Sequence, residues 1–438
     1  MRVNKYFAVA KQLGFEDIEF KSRTSKKLSI SIFHEKVENY TVSENETLYI
    51  RGIVNGKMVS GITESEKSIE RILKEMVENA ALIEENKPQE IFGGSESYKK
   101  YKTHNDTLAN TPVADKIALC LQVEEKAKAY DSKVSEVEVE YSETESAMTI
   151  VNSKGLKLSY KSSYGVLVAS VVAKDGNDTR TGFKYNIGQS LEDMKADELV
   201  KEACDSAINA LHGTQCDSKE YKVLLAPNVF ASLISVLMGN VSGDAVNKGK
   251  TLLKDKLHQV VASKKFTLTE NPHNKQYPYF YRSFDDEGVA TSKKTIVEKG
   301  VLNTFLYNIE AAKQAGVTST GNGYGGAAIG ISTSFLEVKP GKKDKDQLCA
   351  HIKNGIQITS VQGLHSGMNA LSGNFSLQAS GYRIEDGKIT TPVNLITIAG
   401  NLFKLFENIE EVGSDLTLSM GGTLTPSVVI KSLAISGK

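Results

Sequence analysis

This sequence has no net charge, no tryptophan, no paired cysteines and no long apolar run. Its 53 basic residues balance 53 acidic ones, whereas a dedicated nucleic-acid binder shows a basic excess or a basic cluster. The best such cluster, Lys99-Lys100 with Lys102, is short and reads as a solvated loop. Cys120, Cys204, Cys216 and Cys349 are widely spaced and form no C-x-x-C pair. That argues against a disulfide framework and for a reducing, cytoplasmic setting. The longest apolar stretch, Val229 to Val241, is interrupted by Ser and Gly and is too short for a membrane span. The first twenty residues have neither the apolar core nor the cleavage site of a signal peptide.

The seven histidines include no His-Glu-x-x-His or His-x-x-x-His pair. His34-Glu35 opens like the first of these, but Glu38 and Asn39 follow where the second His would stand. His365 and Ser366 are neighbours and would diverge on regular structure rather than form a nucleophile–base pair. A dyad or triad drawn from distant positions stays open.

At 438 residues the chain exceeds one typical core, so two or three domains are expected. Charged residues at 24% and hydrophobic ones at 40% are ordinary for a globular protein. The N-terminal half carries a faint duplication. A helix at 4–13 precedes strand-like segments near 17–23, 27–34, 37–43, 47–54 and 57–62, with Asn55-Gly56 as a hairpin signal. Thr63 and Glu66 fit a capping box ahead of a helix whose stripe holds Ile69, Leu73, Met76 and Ala80. The second unit repeats the order: a helix at 114–131, five strand-like segments from 135 to 184, and a closing helix with Leu199, Ala203 and Ala207 on one face. Gly213 fits its C-terminal stop. Residues 86–112 are polar and turn-rich. The expected division is 1–95, a linker at 96–112, a second module at 113–218 and a C-terminal domain at 219–438. The last part is mostly strand-like, punctuated by Lys299-Gly300 and Asp386-Gly387, with helices near 228–240, 308–315 and 345–353. The fold class is therefore α+β: duplicated sheet-plus-helix modules followed by a larger, mainly antiparallel domain.

Three short motifs admit a chemical and a bland reading. Gly321, Gly323 and Gly326 satisfy G-x-G-x-x-G, but a helix-like stretch precedes them and a strand-like one follows. This reverses the order of a dinucleotide site and favours a flexible or close-packing loop. Gly243 to Thr251 (GDAVNKGKT) has one residue too many for a phosphate loop. Asp285-Asp286-Glu287-Gly288 fits either a hard-cation site or, with more weight, an ordinary turn.

Longer segments carry a resemblance. LYIRGIVNGKMVSGIT (48–63), FDDEGVATSKKTIVEKGVLNTFLYN (284–308), STGNGYGG (319–326) and GMNALSGNFSLQASGYRIEDGKITTPVNLITIAGN (367–401) resemble, in order, the TldD/PmbA family, once called modulators of DNA gyrase. TldD-like members carry a His-Glu-x-x-x-His helix ending in Gly-Asp, plus a cysteine near the C-terminus, and are zinc peptidases. PmbA-like members, also called TldE, lack the motif and pair with TldD. Aligned on Gly243-Asp244, this chain has Ile234, Ser235 and Gly239 at the motif positions, and no cysteine follows Cys349. Zinc takes imidazole, carboxylate or thiolate donors.

The resemblance therefore implies a PmbA-like chain with no catalytic or metal-binding residues of its own. It would act in proteolysis of unfolded or modified peptides, with zinc held by a TldD-like partner. Thr320, Gly321, Asn322, Asn369 and Asn374 are the candidate substrate or interface residues, with structural turns as the competing reading. A homodimer in isolation stays open. A self-sufficient peptidase with other ligands, and a gyrase- or nucleic-acid-associated regulator, are the alternatives.

Overall fold

The two N-terminal repeats share one sheet. The computed structural model describes residues 3–84 and 90–438, so positions 86–89 of the turn-rich stretch lie outside the described residues. Strands β1 (Phe15–Phe33), β2 (Lys36–Val54) and β3 (Lys57–Thr63) join β4 (Val134–Asn152), β5 (Lys157–Asp175) and β6 (Asp178–Gly188) in the order β3-β2-β1-β4-β5-β6. All neighbours are antiparallel, so the order mirrors across the β1–β4 seam.

Ten strand-like segments thus merge into six strands. The polar run Thr24-Ser25-Lys26-Lys27 offers no hydrophobic face, yet it stays extended because it pairs with β2 on one side and β4 on the other. Its backbone groups are satisfied by the ladder rather than by burial of side chains. Strands β1 and β4 then each bury one apolar patch at each end. Ile18, Phe20 and Ile50 pack under α1 (Val3–Gln12) and α2 (Ile69–Leu82). A short helix α3 (Thr107–Asn110) leads to α4 (Val113–Lys128), and α4 with α5 (Ala196–Ile208) covers Ile30, Ile32, Val139, Leu167 and Val171. Each fully buried aliphatic side chain contributes about 1.5–3 kcal/mol relative to exposure.

Asn55-Gly56, Lys299-Gly300 and Asp386-Gly387 form the expected two-residue turns, with positive φ at both positions. His34-Glu35 does the same work at the β1–β2 turn, with φ of 51° and 61°. The buried Glu124 carboxylate of α4 accepts the Glu35 amide there. The motif-like histidine is thus a hairpin tip. Two local expectations are corrected. Thr63 Oγ1 accepts the Ser65 amide, and Glu66 opens a single 3₁₀ turn before α2, so no capping box forms. Helix α5 stops at Ile208, before Gly213, whose missing Cβ makes room for the Asn394 amide.

In the C-terminal region, strand β7 (Lys219–Leu225) and strands 355–362, 374–385, 388–401 and 428–436 close into a ring, because 428–436 pairs with both β7 and 388–401. Only the β7 contact with 355–362 is parallel within it. Helix α6 (Pro227–Asn240) follows β7. Its Phe230, Leu233, Ile234 and Leu237 join ring residues such as Ile358 and Ile398 in one core with Leu268, Ile296 and Leu336 of a second sheet. Among the described residues, no helix is long and apolar enough to cross a membrane.

Helix α5 lies directly on β6 at Gly182, where an added Cβ would meet the Ala203 carbonyl and lie 2.6 Å from the Ala207 nitrogen. Overpacking of this kind costs about 1–3 kcal/mol. Gly182→Ala is therefore expected to lower the urea midpoint of unfolding with an unchanged slope. A midpoint equal to that of the wild type would refute the backbone-tight contact.

Candidate functional site

Pro227 starts α6 at a position where no backbone donor is needed. Helical geometry then turns Ile234 inward and leaves Ser235 and Gly239 together on the outer face. Ile234 is fully buried in the main core. Ser235 and Gly239, four residues apart, are both exposed, and a Cβ on Gly239 would meet nothing within 4 Å. None of the three offers a zinc donor, so this helix does not fit the metal.

The end of α6 is fastened on two sides by one buried side chain. Asn240 Nδ2 donates to the Ala370 carbonyl at 2.9 Å. The Thr251 hydroxyl donates to the Asn240 backbone oxygen at 2.9 Å and to its Oδ1 at 3.1 Å. The loop bearing Ala370 is shaped by two of the candidate residues. Asn369 Oδ1 accepts the amides of Leu371 and Ser372, and its own amide donates to the Asn374 carbonyl. Asn374 Oδ1 accepts from Asn401 at 2.9 Å. Asn369 and Asn374 are exposed, as are Leu252 and Leu371 on the two segments fastened to Asn240.

Thr320, Gly321 and Asn322 lie elsewhere, at a buried ionic junction where β1 and β2 meet the C-terminal domain. The acidic run forms a turn, as its bland reading had it, but a buried one: Asp285, Asp286 and Glu287 are each at most 3% exposed. Asp285 Oδ1 accepts the amides of Glu287 and Val289, and its Oδ2 accepts that of Gly323. Burial, aided by Glu287, raises the Asp285 carboxyl to about 8 against these amides, which favour its ionised form. Asp286 takes Arg23 at 2.9 Å and the Gly325 amide at 2.8 Å. Arg51 bridges Glu19 at 3.0 Å and Glu287 at 3.2 Å. Burial alone would lower the Arg51 guanidinium; the two carboxylates outweigh it and hold the group above its usual range. Lys21 Nζ donates to the carbonyls of Asp286 and Gly325.

Asn322, fully buried, donates to Glu270 and to the Ser332 carbonyl and accepts from Lys294 and Thr320. Gly321 sits at φ 72° with the Ala290 carbonyl 2.8 Å from where a Cβ would stand. A Cβ at Gly323 would strike the Glu287 carboxylate, and one at Gly326 the Tyr49 ring. The glycine motif is thus a close-packing loop. Sequence reading missed Glu19, Lys21, Arg23, Arg51, Glu270 and Lys294. Charged residues within otherwise strand-like, core-forming segments were the available signal.

Arg51→Met would strand two buried carboxylates. Loss of one partner of a buried pair costs about 3–5 kcal/mol, so the variant should show a large fall in unfolding free energy. A loss below about 1 kcal/mol would show that the bridge is dispensable. Burial lowers the Lys21 ammonium from 10.5 to about 8, and the neutral amine keeps two hydrogens for its two carbonyls. Between these values the unfolded chain holds the extra proton, so the contribution of Lys21 to stability is flat below pH 8 and rises towards pH 10.5. The unfolding free energy of the wild type should therefore gain on that of Lys21→Met as pH rises from 8 to 10. A pH-independent difference would contradict this.

Models of the PmbA/TldA metallopeptidase family match residues 22–80 (domain 1), 106–211 (central domain) and 218–437 (C-terminal domain). A metalloprotease PmbA homolog of Buchnera aphidicola is 26% identical over 94% of this chain and 91% of its own length. A Thermotoga maritima crystal structure, described as a proposed modulator of a DNA gyrase, superposes with a TM-score of 0.92 and 29% identity over 99% of both chains. TldE from Thermococcus kodakarensis shares the fold, with a TM-score of 0.89 and 21% identity over 99% of this chain and 100% of its own. The chain belongs to the PmbA/TldD family of metallopeptidases.

Proposed function

We propose that this chain is the PmbA-like, non-catalytic subunit of a two-chain zinc peptidase. It pairs with a TldD-like chain that carries His-Glu-x-x-x-His and encloses extended or modified peptides for cleavage in a reducing, cytoplasmic compartment. One observation carries the reading: α6 is an ordered helix whose motif positions hold Ile, Ser and Gly, with the last two exposed, and its end is bonded through Asn240 to the loop between Asn369 and Asn374. The helix keeps its structural place in the core while offering no ligand. Zinc held by such a partner would supply Lewis-acid chemistry to the scissile carbonyl and to water. This chain's contribution is positional. Ser235, Gly239, Leu252 and Leu371 are exposed and uncharged, and would serve as contact points for the partner or the peptide. The side chain of Asn322 is fully engaged with its own neighbours, so Thr320 to Asn322 act through the shape of the junction.

The test is hydrolysis of an unstructured peptide by the purified chain alone, by a His-Glu-x-x-x-His family member alone, and by both together. Activity should be absent in the first and highest in the mixture. Chelator-sensitive hydrolysis by this chain alone would overturn the proposal in favour of a self-sufficient peptidase.

A further inference from the structure

The segment between the repeats crosses the sheet where β5 lacks its outer neighbour, since β6 pairs only with Gly165 onward. Three consecutive residues are fastened there. The Thr103 hydroxyl donates to the Lys161 carbonyl. Asn105 exchanges two hydrogen bonds with Ser163, its amide donating to Oγ at 3.0 Å and its carbonyl accepting from Oγ at 2.8 Å. Gln189 Nε2 closes the crossing, donating to Thr103 O and Ser163 O. His104, held between them and only 15% exposed at its side chain, points Nε2 at two carboxylates: Glu145 of β4 at 3.0 Å and Asp106 at 3.6 Å. The three donor atoms lie within 4.8 Å of one another.

Asp106 stands at the N-cap of α3 yet makes no capping bond; Asn105 Oδ1 takes the Thr107 amide instead. An Asp at this position ordinarily accepts an amide of the first turn. Here the carboxylate is left facing the imidazole, at a distance too long for a hydrogen bond. One Nε2–H cannot serve both carboxylates, but an ion between them can be served by all three. With metal–ligand lengths of about 2.0–2.2 Å, two donors stand about 3.0 Å apart at a right angle and about 3.4 Å apart at a tetrahedral one. The two spacings from His104, 3.0 and 3.6 Å, lie close to these values. Two lysines lie near. Lys161 is 3.8 Å from the other oxygen of Glu145 on a side chain 58% exposed, free to swing away, and Lys26 is engaged with Glu44.

We propose that His104, Asp106 and Glu145 bind a divalent transition-metal ion of the zinc class. The ion clips the inter-repeat segment to β4. One imidazole nitrogen and two carboxylate oxygens suit zinc, with solvent completing its shell on the exposed side of Asp106. The site is separate from α6 and independent of the partner-subunit reading, because its readout is binding rather than hydrolysis.

The experiment is calorimetric titration of the chelator-stripped full chain with zinc chloride, with cobalt(II) absorption as a second report on the ligands. Wild type should bind one zinc that His104→Ala and Glu145→Gln each weaken about 10-fold or more, while His212→Ala, removing an exposed histidine paired with Asp175, should leave binding unchanged. If His104→Ala does not fold, Asp106→Asn at the exposed ligand serves in its place. No zinc binding by the wild type, or equal binding by the variants, would overturn the site. Zinc bound here without peptide hydrolysis leaves the proposed function standing, and hydrolysis by the chain alone would sink that function without touching the site.

Discussion

The arrangement of this molecule depends on buried charge at the junction between the N-terminal sheet and the C-terminal domain. Glu19, Lys21 and Arg51 on one side face Asp286 and Glu287 on the other, all at most 5% exposed. Removing such groups from water is costly, and their attraction repays the cost only when geometry and remaining hydrogen bonds are complete. Here most of the balance is met by backbone: amides of Gly323, Gly325 and Ile309 serve the carboxylates, and two carbonyls serve Lys21. A neighbouring apolar cluster of Met148, Ile150, Leu156 and Phe284 adds burial but little direction. The charges therefore set orientation, since a shift of a few ångströms between sheet and domain would leave several of them unpaired in a dry interior.

The glycine loop and the acidic turn are two halves of this device. Neither has a chemical role of its own, although each looks like a ligand site when its few residues are read alone. Gly321, Gly323 and Gly326 are small because Ala290, Glu287 and Tyr49 come so close. The junction's role is positional: it fixes how the sheet and the domain meet. On α6, Ile234, Ser235 and Gly239 carry no metal donor, and Asn240 fastens the helix end to both neighbouring segments.

Legibility followed the range of the interactions. Two-residue turns such as Asn55-Gly56 and Asp386-Gly387 could be read because the conformation they need is local. The helices could be read from their apolar stripes, and α1, α4 and α6 end within a few residues of expectation. The unity of β1 could not be seen, because Thr24 to Lys27 are kept extended by partners on β2 and β4 rather than by their own pattern. Arg51 was equally hidden, because its two carboxylates come from positions 19 and 287. At α6 the reverse held: the absence of donors is a property of composition and visible at once, whereas the fastening of its end by Thr251 and Ala370 needs the folded chain.

Closure of the five-strand ring has a consequence for synthesis. Val223 of β7 pairs with Ile430, and Ile398 pairs with Ile435. The ring therefore cannot close until the segment at 428–436 has left the ribosome, and contacts so distant in sequence form late and slowly. Until then α6, whose buried face is apolar apart from Asn240, has only part of its covering. Nascent chains with such surfaces are prone to association. The N-terminal sheet needs nothing beyond residue 188 to complete its ladder, so emergence from the ribosome presents a finished platform first and an unfinished domain beside it.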